Sequence, residues 1–439
     1  MKKLVLIWLG KIIALTSRVL NLGAGSTWPG HVAFEVEPRI LPSLVNQLGK
    51  GVILIAGTNG KTTTTKMISE ILRYEDIKIL RNESGANLLN GMVSALIQNS
   101  DWLGKINASW AIFEVDEATL PQALVEFTPK VVVLLNLFRD QLDRYGEVDQ
   151  VAEKWQKALQ KLPKTTTVIL NADDSHVAFL GKNLTAKVIY FGLSDPKLFL
   201  GRMEHAVDSV YCPSCGQKLD FAGIYFSHLG IWSCPGCGQK RPSLNLCRWE
   251  YPLPGVYNYY NTLAAVLVAK KLGVEEKEIK MALANFKPAF GRQEELKVDD
   301  KKISGAFLRI KILLSKNPTG FNESIRTLKD FSGKKKTVML VLNDRIPDGR
   351  DVSWIWDVDF EKIADYADYL IISGDRVYDM ALRLRYSDFD ENKIQISTDL
   401  KEAIESGLAK VRRRETLYIL PTYSAMLEVR KILGGKKIL

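Results

Sequence analysis

Short apolar runs and helix-periodic stretches alternate along most of this chain. Residues 51–57 (GVILIAG), 111–115 (AIFEV), 130–137 (KVVVLLNL) and 165–172 (TTTVILNA) have the length and β-branched content of strands buried on both faces. Between them, Met67, Ile68, Ile71 and Leu72 recur at helical spacing, as do the apolar positions of VAEKWQKALQKL at 151–162. Strand–helix alternation of this kind predicts a doubly wound α/β domain. The pattern breaks at about 205–245, then resumes with a helix in NYYNTLAAVLVAKKLG (258–273), for which Gly273 is the expected stop. A second alternating region follows, with strands expected at 337–343, 369–374, 393–397 and 416–421. The expected division is therefore an N-terminal helix and linker over 1–48, a central α/β domain over 49–290, and a C-terminal α/β domain over 291–439. The segment 286–293 reads as the hinge between the last two.

The first residues need separate treatment. Lys2 and Lys3 followed by LVLIWLG imitate a secretory leader, but Lys11 ends the apolar run and no small-residue cleavage site follows. No run of about 18 apolar residues occurs anywhere, so no spanning helix is expected. Lys11 and Arg18, seven apart, share one helical stripe, with Leu4, Trp8, Ile12, Leu15 and Val19 around the rest. That is an amphipathic helix, which either packs on its own protein or touches the inner face of a membrane.

Composition narrows the class. The chain has 439 residues, 46% apolar and 25% charged, which excludes a disordered or collagen-like chain and allows about three units with cores. Sixty Lys+Arg against 50 Asp+Glu leave +10, a balance that suits anionic partners without choosing among them. Only five cysteines are present, four of them in two CxxC pairs, which favours a reducing, cytoplasmic compartment over a disulfide-held secreted one.

The strongest local chemistry lies in Gly57-Thr58-Asn59-Gly60-Lys61-Thr62-Thr63, where a buried strand turns through two glycines into a helix. Such a turn aims successive N–H groups and the helix N-terminus at phosphate oxygens. Lys61 can reach the β/γ-phosphates, and Thr62 or Thr63 can hold Mg²⁺. The spacing departs from the common phosphate loop, since position 55 is isoleucine where that form has glycine.

Cys212-Pro-Ser-Cys215-Gly and Cys234-Pro-Gly-Cys237-Gly carry the second signal, with 18 residues between the pairs. Four soft thiolates at this spacing are expected to form a closed, tetrahedral structural zinc site; iron or a redox dithiol are the other readings. Cys247 is left over and is expected in the core.

The compact phosphate loop resembles that of the Mur ligase and folylpolyglutamate synthase superfamily. Further segments agree in order: Phe113-Glu114-Val115-Asp116-Glu117, Asn136 to Gly146, Asn171-Ala-Asp173-Asp174, Asn258-Tyr-Tyr-Asn261 and Gly291-Arg292. The resemblance implies an ATP site built from Gly57, Thr58, Asn59, Gly60, Lys61, Thr62 and Thr63. It adds Glu114 as Mg²⁺ ligand, Asn258 and Asn261 beside adenine, and Arg292 on the phosphates. Gln141 stands where the superfamily has a metal-binding histidine, and Lys154 is out of register with its carbamylated lysine. The first predicted strand begins at Gly51, leaving no room before it for a UDP-sugar-binding domain.

With the four cysteines and the segments Lys316 to Asn322 and Leu342 to Asp357, the chain resembles one group in particular, the MurT-type subunits of lipid II isoglutaminyl synthase. That implies a Mur-ligase-like P-loop domain with an inserted zinc ribbon, followed by a Rossmann-like C-terminal domain. It also implies ATP-dependent amidation of the α-carboxylate of D-glutamate in lipid II, through an acyl phosphate. Ammonia would come from a GatD-type glutaminase partner, whose Cys–His pair Asp351 completes. Asp348 and Asp357 compete with Asp351 as turn or capping residues, and Trp354 and Trp356 are either core or interface. None of the four histidines lies beside Cys247 in sequence, so a glutaminase site within this chain is not expected. Two rivals remain: a ligase adding an amino acid, and a nucleic-acid-binding zinc-ribbon protein. The second is disfavoured because no Lys/Arg cluster surrounds the cysteine pairs.

Overall fold

A computed structural model describes residues 2–20, 26–82, 85–140, 148–288, 291–299, 307–331, 336–411 and 415–434. Gln141 and the rest of the segment to Gly146 lie outside the described residues.

Six strands form the first sheet: β1 (Gly51–Ala56), β2 (Ile79–Arg81), β3 (Trp110–Glu114), β4 (Val131–Leu134), β5 (Thr167–Asn171) and β6 (Lys187–Phe191). They run parallel in the order β2-β3-β1-β4-β5-β6. Because successive side chains point to opposite faces, β1 feeds two cores. Val52, Leu54 and Ala56 join the layer that includes helices Trp28–Val36, Leu89–Gln98 and Val148–Leu159. Ile53 and Ile55 join the layer of helices Lys61–Tyr74, Val256–Lys271 and Glu276–Ala284. Burial on both faces is why β1, β3, β4 and β5 read as unbroken apolar runs; the short β2 and the half-exposed β6 escape the sequence pattern.

The interruption at 205–245 contains an antiparallel hairpin of β7 (Asp220–Phe226) and β8 (Leu229–Ser233) lying between the two CxxC pairs. Its side chains dock on the first sheet: Trp232 Nε1 donates to the Ala172 carbonyl at 2.9 Å. Asp173 pairs with Arg241 at 3.0 Å and accepts from Tyr260 Oη at 2.6 Å. Asp174 caps the helix Ser175–Phe179 and lies 3.5 Å from His228.

The second sheet comprises β9 (Arg292–Asp299), β10 (Phe307–Leu313), β11 (Lys336–Val341), β12 (Ala367–Ser373), β13 (Ile394–Ile396) and β14 (Thr416–Pro421). Its order is β13-β12-β11-β14-β10-β9, parallel except for the antiparallel edge strand β9. The sequence pattern misses β9 and β10. In β9, Leu296 and Val298 pack against the core while Glu295 and Lys297 interleave, so no apolar run exists to find.

The helix Lys2–Val19 buries Leu6, Ile7, Gly10 and Ala14. It packs against helices Trp28–Val36 and Leu89–Gln98. Cys247 is half-buried rather than a core residue.

Candidate active site

The phosphate loop follows β1 at the carboxyl edge of the first sheet, where β1 lies between β3 and β4 and ligand crevices form in open α/β sheets. Two glycines make the turn possible. Gly57 has φ +137° and Gly60 φ +93°, both in the left-handed half of conformational space; a Cβ on Gly60 would lie 2.1 Å from Asn261 Oδ1. Asn136, just past β4, holds the loop from both sides: its Oδ1 accepts from Asn59 N at 2.8 Å and its Nδ2 donates to the Asn59 carbonyl at 3.0 Å. Thr58 Oγ1 donates to the Phe138 carbonyl and accepts from Phe138 N. The loop is thereby rigid before any ligand arrives.

A cavity of about 510 Å³ opens over this loop, a size suited to a nucleotide-class ligand. Its wall includes Thr58, Asn59, Gly60, Lys61, Thr62, Thr63, Glu114, Asn261 and Arg292. Asn258 stands one layer behind: its Nδ2 donates to the Pro254 carbonyl at 2.7 Å and its Oδ1 accepts from Asn261 Nδ2 at 3.3 Å. Eight of the nucleotide-site residues named from the sequence thus share one cavity with Asn261, and Gly57 and Asn258 support them from behind.

The cavity wall carries five carboxylates, Glu114, Asp116, Glu117, Asp140 and Glu323, against the three cations Lys61, Arg292 and Lys316. Glu114 ends β3 and is held by Asn82, whose Oδ1 accepts from its backbone N at 3.0 Å and whose Nδ2 donates to its carbonyl at 2.9 Å. Thr62 Oγ1 donates to Glu114 Oε2 at 2.8 Å. This carboxylate–hydroxyl pair, beside a phosphate loop, is a donor set that a hard divalent cation fits. Burial raises the Glu114 carboxyl above its usual range, opposed by the positive field of Arg292. Burial likewise raises Glu117, against Lys61 at 3.5 Å. Lys61 also donates to the Gly57 carbonyl, curling over the loop. Burial lowers Arg292, with Glu114 and Tyr423 acting the other way.

The opposite wall comes from the second sheet and its helices, with Lys316, Thr319, Gly320, Glu323 and Tyr423. Lys316 pairs with Asp140 across the cavity. Asn317 caps the helix Pro318–Thr327 through Gly320 N and reaches the loop, its Nδ2 donating to Asn59 Oδ1 at 3.2 Å. Lys316, Asn317 and Asp140 fall within the matching sequence segments, where nothing local assigns them a role. The available signal was Asn-Pro at a helix start, which places that turn at the carboxyl end of β10.

Asp351 lies elsewhere. It is exposed on the loop after β11 and does not line the cavity. Its Oδ1 accepts from Ser353 N at 2.8 Å, and that bond holds its carboxyl below the ordinary value. Its competitors are engaged: Asp348 accepts from Ser424 N at 2.8 Å, and Asp357 pairs with Arg139 at 3.1 Å. Trp354 packs near Phe321, whereas Trp356 is exposed and meets Tyr386 edge-on at 5.6 Å. Lys154 is exposed on its helix.

The four thiols converge. Cys212 and Cys237 Sγ are 3.6 Å apart, Cys215 and Cys234 Sγ 3.4 Å, and all four lie within 4.8 Å of one another. A tetrahedral metal–thiolate centre requires sulfur separations of about 3.8 Å, given metal–sulfur bonds near 2.3 Å, so the cage fits such an ion.

Two family models match the chain: the Mur ligase middle domain over residues 55–269 and the MurT ligase C-terminal domain over residues 314–426. The chain is 33% identical to the lipid II isoglutaminyl synthase (glutamine-hydrolyzing) subunit MurT of Streptococcus pneumoniae, covering 95% of this chain and 94% of that one. It is also 33% identical to the subunit of the same name from Staphylococcus aureus, covering 92% of each. Among solved structures, a pseudomurein peptide ligase type C from Methanothermus fervidus is similar in fold, with TM-score 0.63 and 21% identity over 88% of this chain and 79% of that one.

Proposed function

The chain belongs to the family of MurT subunits of lipid II isoglutaminyl synthase, ATP-dependent ligases, and from that premise we propose how its residues divide the work. Its substrate is the D-glutamate α-carboxylate of lipid II, met at the cytoplasmic face of the membrane. Residues 49–290 act as the ATPase unit and 291–439 as a lid and partner-facing unit. The observation that carries the reading is the Glu114–Thr62 contact facing a phosphate loop in a cavity walled by both sheets.

A carboxylate is a poor electrophile, so it must first gain a leaving group. The substrate carboxylate oxygen attacks the γ-phosphorus of ATP, the bond to the β-phosphate oxygen breaks, and ADP leaves. Ammonia then adds to the acyl carbon and phosphate departs, giving D-isoglutamine. Lys61 moves from the Gly57 carbonyl to the phosphates, and Arg292 and Lys316 neutralise charge from the other wall. Asn261 and, behind it, Asn258 fix the nucleotide next to Gly60. Magnesium held by Glu114 and Thr62 would bind phosphate oxygens and spread their charge. The braced loop supplies alignment, which works together with this charge stabilisation in phosphoryl transfer.

Ammonia comes from a GatD-type glutaminase subunit. Asp351 is exposed outside the ATP cavity and is held as an anion by Ser353 N, which suits a carboxylate that orients an imidazole on a second protein. The cysteine cage holds a structural zinc ion: its four ligands leave no open position, and the hairpin between them is anchored on Asp173 and Asp174, with His228 3.5 Å from Asp174. One zinc per chain by elemental analysis checks that assignment.

The test is incorporation of ¹⁵N-ammonium into lipid II with ATP and no glutamine. Stoichiometric amidation with release of ADP is expected. Incorporation of an added amino acid in its place would make the chain a peptide-bond-forming ligase instead.

A further inference from the structure

The helix Lys2–Val19 has two apolar faces, and the protein uses only one. Leu6, Ile7 and Ala14 are buried against the neighbouring helices. On the opposite side Val5, Trp8, Ile12, Leu15 and Val19 recur at helical spacing and stay exposed, Leu15 by 62% and Val19 by 71%. The strip does not stop at the helix. Trp8 Nε1 donates to the Trp102 carbonyl at 2.7 Å, which sets Trp102 and then Leu103, 83% exposed, beside it.

Three observations say what covers this surface. First, the charge of the helix is positive: residues 1–34 contain Lys2, Lys3, Lys11 and Arg18 and no acidic residue, with Lys2 paired to Glu37 of the next segment at 3.0 Å. At 100° per residue, Lys2 and Lys11 fall on the two borders of the exposed arc, the arrangement of a helix lying in a lipid interface. Second, two tryptophans sit on the strip, and amphipathic indoles favour the headgroup level. Third, among the described residues no helix is long and apolar enough to cross a membrane, so a bilayer contact of this strip would be a surface contact. A second copy of the chain is a poor occupant, because a self-complementary contact would bring the same cations together.

The structure assigns this face to an anionic lipid bilayer, with the helix parallel to the membrane plane. The consequence for the site is direct. Ser26 and Thr27, a few residues after the helix, line the active-site cavity together with Asn87 and Leu88. A helix seated in the headgroups would hold the cavity mouth next to the bilayer, where a lipid-linked carboxylate is presented. This purpose rests on the function proposed above; the binding itself does not.

The experiment reads binding without turnover. The full chain, with its partner subunit bound, is floated with vesicles of phosphatidylglycerol and phosphatidylcholine, or of phosphatidylcholine alone. Flotation with the anionic vesicles, weakening as salt rises, is expected. The doubly substituted Ile12→Glu, Leu15→Glu chain should bind at least about tenfold more weakly, with an unchanged melting temperature since both side chains are exposed. Bromolipid quenching of tryptophan fluorescence should disappear in parallel. Failure of the wild type to float, or equal flotation of the variant, overturns the proposal. So does concentration-dependent self-association that the variant abolishes while vesicles are ignored. Amidation of a short-chain, water-soluble substrate by the variant should match wild type, so the amidation reading can stand or fall separately.

Discussion

Glu114 ends a parallel strand of the first sheet and Asp351 lies on the loop after a parallel strand of the second, and their surroundings drive them in opposite directions. Glu114 is buried, braced by Asn82 on its backbone and by Thr62 on its side chain, and its carboxyl is raised by desolvation. Asp351 is exposed, touched by one backbone N–H, and its carboxyl is lowered. The first environment lowers the cost of receiving a cation, because the carboxylate is already stripped of water. The second keeps an anion ready for contact with another molecule. The proposed function gives the first an internal reaction and the second an external partner.

The largest effect expected with both nitrogen sources together separates the two carboxylates outright. Glu114→Gln keeps the Thr62 contact in shape but removes the charge, and should lower amidation about 10³-fold with either nitrogen source. Steady-state rates with glutamine and with ammonium check it; a loss confined to glutamine would break the contrast.

A third carboxylate sharpens the comparison, because it is buried like Glu114 but serves neither site. Asp173 joins Arg241 and Tyr260, and burial raises it from 3.8 to about 6. A carboxyl raised in the fold stabilises most below its unfolded value, and that contribution is lost as pH rises through about 6. Asp173→Asn removes this titration. The stability difference, wild type minus variant, should therefore fall between pH 5 and 7.5, by on the order of 1–2 kcal/mol. Urea unfolding at both pH values measures it, and a pH-independent difference would mean that Asp173 does not titrate there.

The smallest effect on turnover is expected at Lys316, which faces Asp140 from the second sheet. Lys316→Met should reduce amidation about 10- to 100-fold with both nitrogen sources alike, since it removes charge from one wall and leaves the phosphate loop intact. A change restricted to glutamine-dependent turnover would instead place Lys316 with Asp351.

How much of this was legible in the sequence follows from range. The phosphate loop is seven consecutive residues shaped by their own glycines, and the cysteine cage is two local turns, so both could be read directly. Lys316 meets Asp140 from another sheet, a contact that no local pattern encodes. The strand β9 was hidden because a half-exposed edge alternates charge with apolar residues. The first helix gave an apolar surround in sequence; only packing on Ile97 and its neighbours settles which side is buried. Asp351 was named through motif resemblance, since an exposed aspartate before a serine is also an ordinary turn.

The central claim is that this chain activates the carboxyl group while a second protein supplies nitrogen. Asp351→Asn in the assembled complex tests it most directly, assayed in parallel with glutamine and with ammonium. The account predicts that glutamine-dependent amidation falls about 10²- to 10⁴-fold, by analogy with loss of an imidazole-orienting carboxylate, while the ammonium rate stays within about twofold of wild type. Equal loss with both nitrogen sources would place Asp351 in the synthetase reaction and contradict the division of labour; full retention with both would remove it from either.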